Sequence, residues 1–218
     1  MTTVRSTTRS PKGGVDAKKD NTTEVWAQLL LCDEDCLRVN DFFISEVGLK
    51  RNCIVRRLHI TVYHARRPMP GLMSVSETTS VILPATETRF MVLAPGGENP
   101  RPELEPANRR VGIRVHRQSS AMPAILQFRD RLLRYETKYV LGSRAPSTQR
   151  TNAFGARHFQ PHMMILRPGN RIARDLNLIG HPFRAMLGNL TFNKFAIEIV
   201  RRPSDSSNEW TVRLPHFS

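Results

Sequence analysis

Arg57-Leu58-His59-Ile60-Thr61-Val62-Tyr63 is the stretch on which the fold turns. Its polar residues stand two apart among β-branched and apolar neighbours, the period of a half-buried strand. His59 and Thr61 then share one face, while Leu58, Ile60 and Val62 share the other and enter a core. A second run, Phe159-Gln160-Pro161-His162-Met163-Met164-Ile165-Leu166, answers it far along the chain. Each run carries one histidine on a polar face backed by apolar side chains.

Outward from these runs, the same order of elements appears twice. Residues 25–31 are an apolar, strand-length segment, and Asp33, Glu34 and Asp35 follow it, suited to the positive N-terminal end of a helix. Leu37, Phe43, Ile44 and Val47 give that helix an apolar face, and Gly48 ends it before the His59 strand. In the second half, residues 111–116 alternate as a strand, and Ser119 or Ser120 caps a helix that tolerates Pro123 in its first turn. Ile125, Phe128, Leu132, Tyr135 and Tyr139 recur at helical spacing, which turns Arg129, Arg131 and Arg134 toward solvent. A polar connection containing Arg150 and Arg157 then leads into the His162 strand. Both halves read strand, helix, motif strand.

The remaining segments are punctuated by glycine and proline. Short strands are expected at 79–83 and 89–93, with a loop over 95–106. Helical turns are expected within 172–187, interrupted by Pro182, and closing strands at 193–200 and 210–214. Residues 1–22 are rich in Thr, Ser, Lys and Arg and hold almost no large apolar groups, so nothing there offsets the entropy of ordering. They read as a disordered basic tail, and residues 23–218 as a single α+β domain.

His59-Ile60-Thr61-Val62, together with His162-Met163-Met164-Ile165 and its Phe-x-Pro-His lead-in, resembles the paired His-x-Thr/Ser-x motifs of the 2H phosphoesterase superfamily, the RNA ligase-like and RNA 2′,3′-cyclic phosphodiesterase proteins. The resemblance implies a two-lobed, pseudo-symmetric fold, with lobes at roughly 23–95 and 107–218 and strands able to swap between them. Each lobe would be an antiparallel sheet with helices outside, and the central cleft would hold His59 and His162. It also implies a metal-independent phosphodiesterase acting on RNA ends, cyclic phosphates, or small cyclic or 2′–5′-linked nucleotides. His59 and His162 would be catalytic and Thr61 would bind phosphate. The second hydroxyl position of the family is Met164 in this chain.

The chemistry suits those residue types. Opening a phosphodiester needs a base for the nucleophile and an acid for the leaving oxygen, and two imidazoles with ordinary pKa values of about 6.5 supply both near neutral pH. Neither a metal nor a cofactor is required. Thr61 can donate a hydrogen bond to a non-bridging phosphate oxygen, whereas the thioether of Met164 has no proton to donate. Arg157 and Arg150, in the loop before the second motif, are the positions from which a guanidinium could clamp phosphate instead. The alternative is a catalytically decayed RNA- or nucleotide-binding module of the same fold, and a third reading is a basic structural or assembly protein with a fortuitous His-x-Thr.

Composition supports an anionic partner. The 218 residues are 39% hydrophobic with a formal net charge of +14, enough apolar material for a sizeable core under a surface that attracts phosphates. Arginine-rich usage and the tail alone could produce that charge. No apolar run approaches the roughly 18 residues of a membrane span, and Cys32, Cys36 and Cys53 are too few and too odd for a disulfide framework, so a cytoplasmic protein with reduced thiols is expected. Among the other histidines, His64 should face away from His59 on a continuing strand. His158 and His162 form half of a metal site with no third ligand in view, and His116, His181 and His216 have no motif around them.

Overall fold

The computed structural model describes residues 22–66, 68–93, 110–141, 159–168 and 176–202. The chain runs β1 (Thr22–Leu31), α1 (Asp33–Asp41), β2 (His59–Ala65), β3 (Val75–Pro84), β4 (Thr88–Leu93), β5 (Arg110–Val115), α2 (Met122–Glu136), β6 (His162–Leu166), α3 (Leu176–Leu187) and β7 (Asn189–Arg202). Alternation along the strands decides the architecture. Val25, Ala27 and Leu29 of β1, Ile60 and Val62 of β2, Met163 and Ile165 of β6, and Ile113 of β5 are buried. Phe128 of α2 stacks on Phe195 of β7 with ring centroids 4.6 Å apart. Phe183 of α3, Phe90 of β4, and Phe42 and Phe43 from the π-helical turn Phe42–Glu46 meet with centroids 5.0 to 6.0 Å apart. The helices therefore pack on one face of the sheet. Each fully buried phenylalanine contributes about 1.5–3 kcal/mol by leaving water.

The α+β class is as expected, but the strands do not form one sheet per lobe. All seven pair antiparallel in a single sheet of order β3-β7-β1-β2-β6-β5-β4. Strand exchange between the halves of the chain makes this possible. β7, late in sequence, inserts between β1 and β3, while β4, from the first half, pairs with β5. The middle of the sheet is its narrowest seam, for β2 and β6 share the single register pair Ile60–Met163, whereas β1 and β7 pair along ten positions from Thr22–Arg202 to Leu31–Phe192.

Several local expectations are met and some are corrected. The helix begun by Asp33, Glu34 and Asp35 ends in a π-helical turn and then at Gly48, whose φ of 73° suits a residue without Cβ. Asp35 does more than face the helix terminus. Buried, it accepts the Thr191 N–H at 2.6 Å and pairs with Arg38, which donates to the Leu187 and Asn189 carbonyls and so ties α1 to the α3–β7 corner. Pro182 does not interrupt α3, which is continuous over Leu176–Leu187. The lost backbone bond is outweighed by Phe183, fully buried in the aromatic cluster, and by the close approach of Gly180 to Phe90. Arg129 and Arg131 are not simply solvated, since they lie over the rings of Phe159 and Phe195, and Arg131 also pairs with Glu77. Of the expected tail 1–22, Thr22 already belongs to β1, and residues 1–21, the loop 95–106 and the expected strand 210–214 lie outside the described residues.

Gly112 marks the tightest backbone approach in the sheet. A Cβ there would run into the Met163 carbonyl and come within 2.8 Å of Leu93 Cδ1, and backbone cannot step aside as a flexible side chain can. Gly112→Ala is expected to destabilise the protein by roughly 2 kcal/mol, read as a lower denaturant midpoint at unchanged m. A midpoint unchanged from wild type would contradict this packing of β5 on β6.

Candidate active site

The pairing of Ile60 with Met163 builds the site. In antiparallel register it sets Thr61 beside His162 and His59 beside Met164. Ile60 and Met163 are fully buried on the helix side, while His59, Thr61, His162 and Met164 are half-buried on the opposite face. A local two-fold axis through that pair exchanges the two histidines and exchanges Thr61 with Met164. The histidines are thus diagonal neighbours on adjacent strands, with backbones about 7–8 Å apart. This corrects the expected facing walls of a cleft between two sheets, because the four motif positions share one sheet face.

Both imidazoles are held in the same way. Nδ1 of His59 lies 3.0 Å from the Arg57 carbonyl, and Nδ1 of His162 lies 3.0 Å from the Gln160 carbonyl. A carbonyl only accepts, so Nδ1 carries the proton in each ring and Nε2 is the atom left for chemistry. His59 Nε2 meets the Gln28 side-chain amide at 3.3 Å. With Nδ1 protonated, the amide nitrogen donates to it; turned over, the same amide offers its oxygen to a protonated Nε2.

The surroundings disfavour a charged imidazole. Burial pushes the pKa of His59 below its ordinary value of about 6.5; the bond to the Arg57 carbonyl opposes this, and Arg57 and His162 as neighbouring positive groups add to it. For His162, burial again comes first and lowers the pKa, with the positive charges of Arg114 and Arg110 working in the same direction. Arg114 is its direct cross-strand neighbour on β5. Arg57, two residues before His59, is paired with Glu198 of β7, a nearby negative charge that partly restores the basicity of His59.

Of the residues singled out from sequence, His59, His162, Thr61 and Met164 are brought together, while Arg150, Arg157 and His158 lie outside the described residues. His64 is a correction. The β1–β2 register passes from Ala27–Tyr63 to Gln28–Thr61, skipping Val62, and that bulge turns His64 onto the same face as His59. There it is buried and stacked on Trp26 at 3.7 Å, with Glu24 at 4.0 Å. Gln28 and Arg114 were missed. The signal for Gln28 was a lone amide inside the apolar run 25–31; for Arg114 it was the alternation Arg110-x-Gly112-x-Arg114 in β5.

The three cysteines are free thiols, and burial raises the Cys36 pKa to about 11, leaving it inert. Among the described residues there is no cluster of metal-ligating side chains, and no helix is long and apolar enough to cross a membrane. Comparison with known proteins gave no match, whether to a family model, to a curated protein or to a solved structure.

Proposed function

We propose that this face is the active site of a metal-independent phosphodiesterase of the 2H type, acting on RNA ends, cyclic phosphates, or small cyclic or 2′–5′-linked nucleotides. The observation that carries the reading is the matched pair of histidines on one sheet face, each with Nδ1 tied to the carbonyl two residues upstream, which leaves Nε2 as the basic atom of each ring, that of His59 in contact with Gln28. The narrow β2–β6 seam between two half-sheets is compatible with a pseudo-symmetric arrangement. In hydrolysis of a 2′,3′-cyclic phosphate, a neutral Nε2 takes a proton from water as its oxygen bonds to phosphorus. The other, protonated imidazole gives its proton to the ribose oxygen as that P–O bond breaks. Thr61 Oγ donates to a non-bridging oxygen from its place beside His162.

A second reading, a binding module that has lost catalysis, draws on two observations. The Nε2 lone pair of His59 is engaged by Gln28, and Met164 offers no proton where the local two-fold would place a hydroxyl. Turnover of 2′,3′-cyclic nucleotides in excess chelator, followed across pH, separates the readings. Acid–base catalysis needs one imidazole neutral and one charged, and both pKa values are lowered below about 6.5. The expected profile is therefore a bell whose maximum lies on the acid side of pH 6.5. A flat profile, or activity that the chelator abolishes, would count against two-histidine catalysis, and binding without turnover at any pH would favour the second reading.

A further inference from the structure

The local two-fold axis does not repeat what flanks the two histidines. On β1, Gln28 stands directly opposite Thr61, and Leu30 stands opposite His59. The axis carries these positions to β5, where Gly112 stands opposite Met164 and Arg114 opposite His162. His59 therefore has an amide beside it, while the equivalent place beside His162 holds a glycine.

That amide is only 5% exposed, and its one side-chain hydrogen bond among the described residues is the 3.3 Å contact of its nitrogen with His59 Nε2. Its Oε1 is buried without a partner. An orphaned buried oxygen is costly, and an apolar side chain would fill the same space without it. A half-turn of the amide breaks no other bond and runs about a soft, two-fold torsion. The nitrogen donates to a neutral Nε2, and after the half-turn the oxygen accepts from a charged one. The second bond is the stronger, because hydrogen bonds to charged groups are roughly twice as strong as those between neutral ones. Nε2 of His162 has no hydrogen-bond partner among the described residues, and the charge of Arg114 opposite it works against a second positive charge there.

We propose that Gln28 is a positioning residue that enables His59 to hold a proton on Nε2, so that His59 is the proton donor and His162 the proton acceptor of the reaction. The assignment rests on the phosphodiesterase reading and gives its two histidines their order. While His59 is charged, Oε1 of Gln28 accepts its Nε2 proton, until the leaving oxygen of the substrate takes that place. Nε2 of His162 takes a proton from water as the water oxygen bonds to phosphorus. The P–O bond to ribose breaks, and its oxygen departs with the proton of His59. The amide then turns back and donates to the neutral ring, which is the contact seen in this structure.

The test follows kcat for adenosine 2′,3′-cyclic phosphate across pH in wild type, Gln28→Met and Gln28→Glu, together with NMR titration of the two histidine rings. Both replacements are close to glutamine in size. The charged and titratable groups facing His59 are the same in all three proteins: Arg57 just upstream, Glu198 and Lys194 on β7, and His162 on β6. Gln28→Met removes the acceptor for the charged ring. His59 should then titrate at lower pH than in wild type, the rate maximum should move with it, and kcat at about pH 6 should fall about ten- to a hundredfold. Gln28→Glu keeps an acceptor and adds a negative charge, so it should move both to higher pH and retain more of the rate. Opposite displacements in the two variants, with His162 unmoved, support the proposal. No displacement, displacement in one direction only for both, or a loss of kcat equal at every pH overturns the role of Gln28 and leaves the phosphodiesterase reading standing. If the buried glutamate unfolds the protein, the direction of the Gln28→Met displacement decides alone. If no protein turns over the cyclic phosphate, the phosphodiesterase reading falls, and the His59 titration by itself supports or overturns the hold of Gln28 on that ring.

Discussion

On the proposed phosphodiesterase reading, His162→Ala is expected to lower turnover of a cyclic phosphate by about 10² to 10⁴-fold, with His59→Ala giving a loss of the same order, since each would remove one partner of the proposed acid–base pair. The double variant should lose little beyond either single one, because the two imidazoles act as a unit. Neither change should unfold the protein. The rings are half-buried on the face away from the helices, and their strands are anchored by Ile60 and Met163 on the other side. Stability against pH supplies a readout that activity does not. A histidine with its folded pKa lowered by burial contributes stability that is complete above the unfolded value of about 6.5 and is lost as pH falls through the lowered folded value. The alanine variants should therefore lose less stability than wild type on acidification below pH 6.5. A variant with wild-type turnover, or one unfolded at neutral pH, would show that these are structural histidines.

The faces of β2 and β6 were legible because a strand has period two, and the alternation around His59 and His162 is unbroken where it matters. Pairing was not. Nothing in residues 25–31 announces that Gln28 will stand beside Thr61 and reach His59, because register is a property of two strands and each strand was read alone. The same limit explains His64, since a bulge at Val62 reverses the phase of everything after it and arises only from the mismatch with β1. Exchange of β4 and β7 between the halves was anticipated as a possibility, but the partner of each strand was not. Pro182 misled for a different reason: its local cost is real, and the burial of Phe183 outweighs it. Asp35 likewise reads as a helix-terminus acid in sequence, and only the fold brings Thr191 to its carboxylate.

Met164→Thr tests what the local two-fold axis means. The axis that relates His59 to His162 relates Thr61 to position 164, so a hydroxyl there would stand beside His59 as Thr61 stands beside His162. If one non-bridging oxygen is served from Thr61 and its mate faces a thioether, the site lacks a donor of the kind whose removal elsewhere costs about 10² to 10³-fold in rate. Restoring it is expected to raise turnover of a cyclic mononucleotide about ten- to a hundredfold. The gain is smaller than the full range because the half-buried Met164 gives up packing against its neighbours when shortened. Gly112, directly opposite on β5, has no side chain to fill the space, so a drop in thermal stability should accompany the gain in rate. The opposite outcome has a physical meaning too. A polarizable thioether is a good surface for an aromatic ring, and if Met164 carries a nucleobase, Met164→Thr will lower kcat/KM on a base-bearing substrate while leaving or improving a cyclic phosphate without a base. Unchanged rates on both substrates would show that position 164 touches neither phosphate nor base, and the two-fold relation would then have no bearing on catalysis.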